Sequence, residues 1–177
     1  PPSLIFQNSE SVKNNANILN TISLDKKNLD KKLIKKKTKL INTLKPLNYF
    51  LFNSSIDERK NVHLLIESYI NSAAQRNGIN LVITGKLKND EYSNKIKDLI
   101  YNNYGITTTG FVNESQKSAL YLNAISLLSP SIIEGFGIPV LDACCLGLNC
   151  FASDCSSHRE IQNLYDFKNF LKIYPPS

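Results

Sequence analysis

The sequence lacks several features that would identify a membrane or secreted protein directly. It has no methionine, begins with proline, and contains no apolar run near the roughly 20 residues that a membrane-spanning helix needs. No secretory leader opens it, and the missing methionine predicts a piece of a longer protein, so an upstream signal stays an open alternative. With 42% hydrophobic and 20% charged residues, its 177 residues are typical of one globular domain and exclude a disordered chain.

Motifs for metals and for common nucleotide loops are also missing. The four cysteines follow the order C-C-x4-C-x4-C, which fits neither a zinc ribbon nor a zinc finger, and no Asp-x-Asp pair occurs. We therefore expect no metal and no cofactor, and we interpret the cysteines as small buried hydrophobes in a reducing compartment. The stretch GINLVITGKL departs from the P-loop spelling, and GFGIPV lacks the third small residue of a dinucleotide fingerprint.

Positive charge is concentrated in one segment. Of the 21 Lys and Arg residues, nine lie between residues 26 and 45, and the remainder of the chain is close to neutral. The basic balance therefore does not indicate a nucleic-acid surface. Apolar residues recur in this segment at helical spacing, which predicts an amphipathic helix. Its lysine-rich face is open to two interpretations, a solvated surface or a contact with an anionic membrane.

From residue 47 onward, apolar strand-like runs alternate with helix-like stretches. The predicted strands are LNYFLFNSS, INLVITG, ITTTG, ISLLSP, LNCFAS and NFLKIYP. The predicted helices are NVHLLIESYINSAAQRNG with Asn61 as N-cap and Gly78 as stop, DEYSNKIKDLIYNNYG with Asp90 as cap, NESQKSALYLNA, one from Pro139, and one after Ser156. This alternation predicts an α/β fold, a parallel sheet with helices on both faces. Ligands of such sheets bind at the carboxyl ends of the strands.

The loop after ISLL carries two carboxylates around a glycine turn. Glu134 precedes Gly135 and Gly137, and Pro139 has the backbone angle suited to the first helical position. Free N–H groups there would bind an anion such as phosphate. Asp142, expected in the first turn of the helix, would accept bonds from ribose hydroxyls, and Glu134 would bind other hydroxyls. The alternative is that Asp142 complements the helix dipole and Glu134 is an exposed loop charge.

The loop after YFLF supplies the complementary charge. Arg59 and Lys60 are adjacent at the carboxyl end of the first predicted strand, next to a helix. Two such cations could bind a diphosphate, because Arg offers a bidentate fork and Lys a point charge. An isolated Arg-Lys pair on a protein surface is the competing interpretation.

Together these segments resemble a known family. The Glu-x7-Asp spacing in EGFGIPVLDA is similar to the Glu-x7-Glu signature of retaining family-4 (group 1) glycosyltransferases. YFLFNSSIDERKNVHLLIESY resembles the family's Arg-Lys-Asn segment, LVITGK its next strand, GFVNES its Gly-x-Val turn, and FASDCSSHREI its ASxxSSxPE segment. The matches occur in the family's order over residues 47 to 175.

The resemblance implies a fold and an activity. It implies the C-terminal, donor-binding Rossmann-like domain of a GT-B fold in residues 47–177, ending before the family's C-terminal helix. Residues 1–46 would be a linker and basic helix leading in from an N-terminal, acceptor-binding domain. The implied reaction is a retaining hexosyl transfer from a nucleotide-diphosphate sugar to a glycan, lipid-linked or other acceptor. We expect it in the cytoplasm or peripherally at the inner face of the membrane, with no nucleic acid as partner.

The resemblance also implies roles for individual residues. Arg59, Lys60 and Glu134 would be the catalytic residues. Arg59 and Lys60 would bind the donor diphosphate and stabilise it as the leaving group, Glu134 would bind the sugar hydroxyls, and Asp142 would bind the ribose. The other implied donor-binding positions are Ser54, Gly110, Phe111, Val112, Gly135, Phe136, Gly137, Ile138, Pro139 and Val140. This chain has Asp142 where the family has Glu, and Ser54 where it has Gly. These two departures support the alternative of a catalytically degenerate nucleotide-sugar-binding or scaffolding module; a related sugar-nucleotide epimerase is a weaker third.

Overall fold

The computed structural model describes residues 47–164 and 166–175, and within them strands alternate with helices along the chain. The strands are β1 Tyr49–Asn53, β2 Asn80–Thr84, β3 Ile106–Gly110, β4 Ser126–Ser129, β5 Cys150–Ser153 and β6 Leu171–Tyr174. The helices are α1 Val62–Ile70, α2 Ala73–Arg76, α3 Glu91–Asn102, α4 Glu114–Asn123, α5 Ile138–Cys145 and α6 Ser156–Leu164, with 3-10 turns at Glu58–Lys60 and Phe167–Asn169. All six predicted strands are present. The basic helix expected near residues 26–45 lies outside the described residues.

The six strands form one parallel sheet in the order β3-β2-β1-β4-β5-β6. Leu51 in the central strand β1 is in register with Val82 on one side and with Leu127 on the other. The chain therefore runs from the central strand β1 through β2 to the edge strand β3. It then crosses back to β4, on the other side of β1, and continues through β5 to the opposite edge strand β6. The loops after β1 and β4 depart in opposite directions, which creates a crevice at this switch point where ligands of such sheets bind.

Helices cover the sheet on two faces, and each face has its own core. Tyr49, Leu51 and Val82 pack with residues of α4, α5 and α6, whereas Phe52 and Leu81 pack with residues of α1 and α3. Side chains of a strand point alternately to opposite faces, so the nearly continuous apolar run in β1 serves both cores. This confirms the predicted α/β fold.

Two helix starts are capped by side chains, and the cap at Asp90 was predicted from the sequence. Asp90 precedes α3, and its carboxylate accepts a bond of 2.7 Å from the backbone N–H of Ser93. Asn113 precedes α4 and forms a reciprocal capping box with Gln116. Each cap satisfies amide groups that have no partner inside the helix. The start of α4 matters for the site because it follows directly from the carboxyl end of β3.

The helix predicted between Asn61 and Gly78 is wrong in its length, because it breaks into α1 and α2. Asn71 donates 2.9 Å to the carbonyl of Glu67, and the Ser72 hydroxyl donates 2.6 Å to the carbonyl of Tyr69. Such side chains compete with the helical backbone, and Ser72 then caps α2. Asn61 does precede α1, but its side chain makes no capping bond, because its backbone is left-handed at φ 52°.

The cysteines follow the expected pattern at three of four positions. Cys144, Cys150 and Cys155 are buried free thiols, whereas Cys145 is an exposed one. Cys145 lies on the outer side of α5, since the buried positions of this helix are Val140, Ala143 and Cys144.

Candidate functional site

A buried ion pair joins the two loops of the switch point. The Lys60 ammonium donates to the Glu134 carboxylate over 2.6 Å, and only 10% and 7% of the two side chains are exposed. Lys60 follows β1 and Glu134 follows β4, so the pair joins the two loops that flank the crevice at the carboxyl ends of the central strands. Two of the three residues predicted to be catalytic are therefore brought together, 74 positions apart in the sequence.

The third residue predicted to be catalytic, Arg59, faces solvent. Its guanidinium lies 3.1 Å from Asp57 and 66% of its side chain is exposed. Asp57 also caps the short turn by accepting from the backbone N–H of Arg59. Partial burial would by itself raise the pKa of Asp57, but hydrogen bonds from Arg59 and Ser55 outweigh it and lower this pKa. Arg59 is thus a solvent-facing cation at the rim, tethered to a carboxylate of its own loop.

The loop between β4 and α5 is held in place by hydroxyl groups. Ser131 donates 2.7 Å to the second oxygen of the Glu134 carboxylate. Ser157, in the first turn of α6, donates to the carbonyls of Glu134 and Gly135 at 2.9 and 3.0 Å. The backbone N–H of Ile132 donates 2.8 Å to the carbonyl of Arg59. Glu134 is therefore fixed through both its side chain and its backbone.

The helix after this loop begins one residue earlier than predicted. Gly137 has φ +79° and precedes α5, so Ile138 takes the first helical position and Pro139 the second. Proline is tolerated there because the first amides of a helix have no partner within it. Asp142 is consequently in the second turn, which corrects the expected first turn. The N–H of Val140 already donates 2.9 Å to Gly137, and Val140 is buried.

Four predicted donor-binding residues lie around one cavity. It measures about 270 Å³ and opens at the carboxyl ends of β1, β2 and β3. Gly110 has φ +70°, and its carbonyl accepts 3.0 Å from Gly85. Phe111 is 88% exposed, which leaves its ring free to contact a bound base. The lining is Asn53, Ser54, Ser55, Thr84, Gly85, Lys86, Gly110, Phe111, Val112, Glu114 and Lys117.

Asp142 lies at a second cavity that adjoins the first. This cavity also measures about 270 Å³ and shares Glu114 and Lys117 with the first. The Lys117 ammonium lies 3.5 Å from the Asp142 carboxylate and 2.8 Å from Glu114. The hydrogen bond to Glu114 raises the pKa of Lys117, so the ammonium is charged at neutral pH.

Sequence reasoning missed several residues of the site. Ser131 and Ser157 orient Glu134, and Lys117 faces Asp142. Tyr121 accepts 2.8 Å from Asn53 and donates 3.3 Å to the carbonyl of Pro139, which ties the end of β1 to the start of α5. Only Lys117 had a usable signal, since it lies in the first turns of a capped helix that follows a strand's carboxyl end.

The remaining predicted positions form the outer edge of the loop. Gly135, Phe136 and Ile138 are exposed, with about half of the Phe136 and Ile138 surface accessible (51% and 59%). Across residues 47–164 and 166–175, no group of three His, Cys, Asp or Glu side chains could hold a metal ion. None of the helices in that part of the chain is long and apolar enough to cross a membrane.

Comparison with a protein-family model decides the family. The model described as Glycosyl transferases group 1 matches residues 30–172, well over half of the 177 residues. The chain belongs to the group 1 glycosyltransferases. No curated protein sequence matches it. The family agrees with the resemblance seen in the Arg-Lys-Asn and Glu-x7-Asp segments.

This group 1 glycosyltransferase chain also resembles solved structures in its fold. Sucrose-phosphate synthase from Thermosynechococcus elongatus matches with a TM-score of 0.64 and 17% identity over 82% of this chain and 37% of its own. A glycosyltransferase from Rickettsia africae matches with a TM-score of 0.64 and 19% identity, and the match covers 92% of this chain and 41% of that protein. WaaG, a glycosyltransferase involved in lipopolysaccharide biosynthesis, matches with a TM-score of 0.60 and 19% identity. This match covers 83% of this chain and 38% of WaaG. The fold is the Rossmann-like fold of GT-B glycosyltransferases, and the chain spans 37% to 41% of these proteins' length.

Proposed function

We propose that this chain is the C-terminal, donor-binding part of a retaining glycosyltransferase. The protein would transfer a hexosyl group from a nucleotide-diphosphate sugar to a glycan or lipid-linked acceptor. The observation that carries the proposal is the buried pair of Lys60 and Glu134 at the switch point, next to the start of α5. A cation and a carboxylate held side by side suit a ligand that has both phosphate and hydroxyl groups.

The chemistry assigns different tasks to the charged residues. When the bond between sugar and diphosphate breaks, negative charge develops on the leaving phosphate, and Lys60 with the exposed Arg59 would stabilise it. Glu134 would accept hydrogen bonds from sugar hydroxyls and so position the ring. The amides of Phe136, Gly137 and Ile138 at the positive end of α5 would add neutral donors to the same phosphate. No step of this scheme requires a metal.

Acceptor recognition belongs to the remainder of the protein in this proposal. The chain spans about two fifths of the length of the solved structures that it resembles. Residues 1–46 would link the donor-binding part to an N-terminal, acceptor-binding domain. A membrane-linked acceptor would place the protein at the inner face of the membrane, where the lysine-rich segment could contact anionic lipid.

Calorimetry with UDP, GDP and ADP tests the proposal on the 177-residue chain. We expect one of the three to bind, and Arg59→Ala with Lys60→Ala to weaken that diphosphate far more than its nucleoside. Arg59→Ala alone covers the case in which loss of the buried Lys60 unfolds the chain. Arg76→Ala with Lys97→Ala, two cations outside both cavities, is the matched control. A folded chain that binds none of the three contradicts the donor site and favours a scaffolding module.

A further inference from the structure

We propose that Cys144 and Cys150 are a redox-sensitive pair, which peroxide converts into a disulfide that tethers helix α5 to strand β5. The two sulfur atoms lie 3.8 Å apart, and both side chains are buried. The inference does not depend on the proposed donor site. It concerns that site only through position, because α5 begins at the glycine turn that follows Glu134.

The pair lies where the chain turns from α5 into β5. Cys144 is the second-last residue of the helix, and Cys150 is the first residue of the strand. Gly147, at φ +74°, reverses the chain between them, and the backbone N–H of Leu148 donates 2.9 Å to the carbonyl of Ala143. In a disulfide the sulfur atoms are about 2.05 Å apart, so closing this pair requires them to approach by about 1.8 Å.

The strand end of the pair is fixed, and the helix end can adjust. The backbone N–H of Cys150 donates 2.7 Å to the carbonyl of Phe170, and its residue is paired in the sheet on both sides. At the end of α5, the N–H of Leu146 is shared between the carbonyls of Asp142 and Ala143, each at 3.1 Å. Shared bonds of this kind are common where a helix ends. The approach of the two sulfurs therefore comes from the last turn of α5.

The contact between the sulfurs favours reaction at Cys144. A hydrogen bond from the Cys150 thiol lowers the pKa of Cys144 and outweighs the opposite effect of burial. The same contact, together with burial, raises the pKa of Cys150, which therefore stays a thiol. The thiolate is the form of cysteine that peroxide oxidises, and the thiol that can resolve the product is already in contact with it.

The reaction needs hydrogen peroxide and no further reagent. The Cys144 thiolate attacks one peroxide oxygen, the O–O bond breaks, and a sulfenic acid and hydroxide form. The Cys150 sulfur then attacks the sulfenic sulfur, the S–O bond breaks, and water leaves with the thiol proton. Overall, two thiols lose two electrons and two protons, and the peroxide is reduced to two molecules of water. Because Cys150 is adjacent, the sulfenic acid is captured before a second peroxide can oxidise it further.

The disulfide would restrain α5. In the reduced form, packing and the turn hold the end of this helix against the sheet. A covalent link between residues 144 and 150 limits how far the helix end can separate from β5. Local opening of α5 then becomes rarer, so its amide hydrogens should exchange more slowly with solvent. In a reducing compartment the bond would be transient, as redox-sensing disulfides usually are.

The test treats the folded 177-residue chain with hydrogen peroxide. Cys145→Ser with Cys155→Ser, the pair-only variant, retains Cys144 and Cys150. It should lose both thiols together and about 2 Da as a monomer, and dithiothreitol should reverse this. Amide exchange in residues 138–145 should slow by about threefold or more. The matched control, Cys144→Ser with Cys150→Ser, retains the other two cysteines and should show neither the intramolecular mass loss nor the slower exchange.

Several results would overturn the inference. These are retention of both thiols, oxidation to sulfinic acid, a disulfide between two molecules, or a disulfide that leaves exchange in α5 unchanged. If circular dichroism shows that the pair-only variant is unfolded, wild type decides. Chymotrypsin, which cleaves after Leu146 and Leu148, separates Cys144 from Cys150, and two peptides joined by a disulfide are the expected product. Failure of every diphosphate to bind would contradict the proposed function and leave this result unaffected.

Discussion

The Lys60 ammonium lies 2.6 Å from the Glu134 carboxylate, and almost no water reaches either side chain. Removing two charges from water costs several kcal/mol for each ion, and mutual attraction offsets this only when the geometry is good and further hydrogen bonds are present. Ser131 supplies one such bond to Glu134. The pair is therefore a contact in which loss of one partner leaves the other buried and unpaired.

Lys60→Met should destabilise the chain by about 3 kcal/mol, because it leaves the Glu134 carboxylate buried without its cation. Arg59→Ala should cost much less, since that side chain is solvent-exposed. Urea denaturation followed by circular dichroism measures both. In the double variant Lys60→Met with Glu134→Gln, the loss should be smaller than the sum of the single losses. Additive losses would show that the two residues do not stabilise each other.

Gly137→Ala should destabilise the chain by about 1 to 2 kcal/mol and weaken diphosphate binding. Gly137 has φ +79°, and an added Cβ would lie 3.0 Å from Ile161 and 3.4 Å from His158. Gly135→Ala, two residues earlier in the same loop, is the control because nothing lies within 4 Å of its Cβ. Thermal melts compare the two, and equal losses would contradict the special role of Gly137.

Gly85→Ala should cost about 2 kcal/mol through overpacking at the end of β2. Its Cβ would lie 2.2 Å from the carbonyl oxygen of Ser54, a backbone atom that cannot move without displacing the loop after β1. Gly78→Ala also places alanine at a positive φ, but in open space. Denaturation curves should separate the two variants, and a loss at Gly85 no larger than at Gly78 would show that the loop yields without cost.

Stability should fall as the pH drops below about 6.5, with a contribution from His158. Burial lowers the pKa of this fully buried imidazole, which bonds to the carbonyl of Ser153 and lies near Glu134 and Lys60. The unfolded chain therefore binds a proton at a higher pH than the folded chain does. The stabilising difference is complete above the unfolded pKa and is lost as the pH falls toward the folded pKa.

Urea denaturation at pH 7.5 and 5.5 measures this contribution. His158→Gln keeps a side-chain donor for the Ser153 carbonyl but does not titrate, so its stability should change less between the two values. His63→Gln, at a half-buried position on α1, serves as the control. If wild type and His158→Gln lose the same stability, acid sensitivity arises from other groups.

Much of the fold was predictable because its signals are local. Strands buried on both faces give continuous apolar runs, as in YFLF, and caps such as Asp90 act within three residues. The break after α1 was missed although its cause is local as well. Asn71 and Ser72 can bond either to water or to the preceding turn, and the residue types do not show which.

The site was only partly predictable. Its glycine turn, its proline and its charged residues stand out in the sequence as types in a familiar order. Which charges pair is a matter of three-dimensional distance, and the sequence predicted only that Arg59 and Lys60 would both face one diphosphate. The fold instead directs Lys60 inward to Glu134 and Arg59 outward to Asp57. Successive residues of a tight turn point in different directions, so adjacency in the sequence does not show which carboxylate each cation contacts.

The sequence by itself determined the alternation of strands and helices, the family, and the loops where a donor site would form. These depend on hydrophobic period and residue type, which are properties of short segments. Only the tertiary structure decided that β4 returns beside β1, that Lys60 and Glu134 are partners, and that Lys117 faces Asp142. Each of these is a contact between segments far apart in the chain, and packing of whole helices against the sheet sets such contacts.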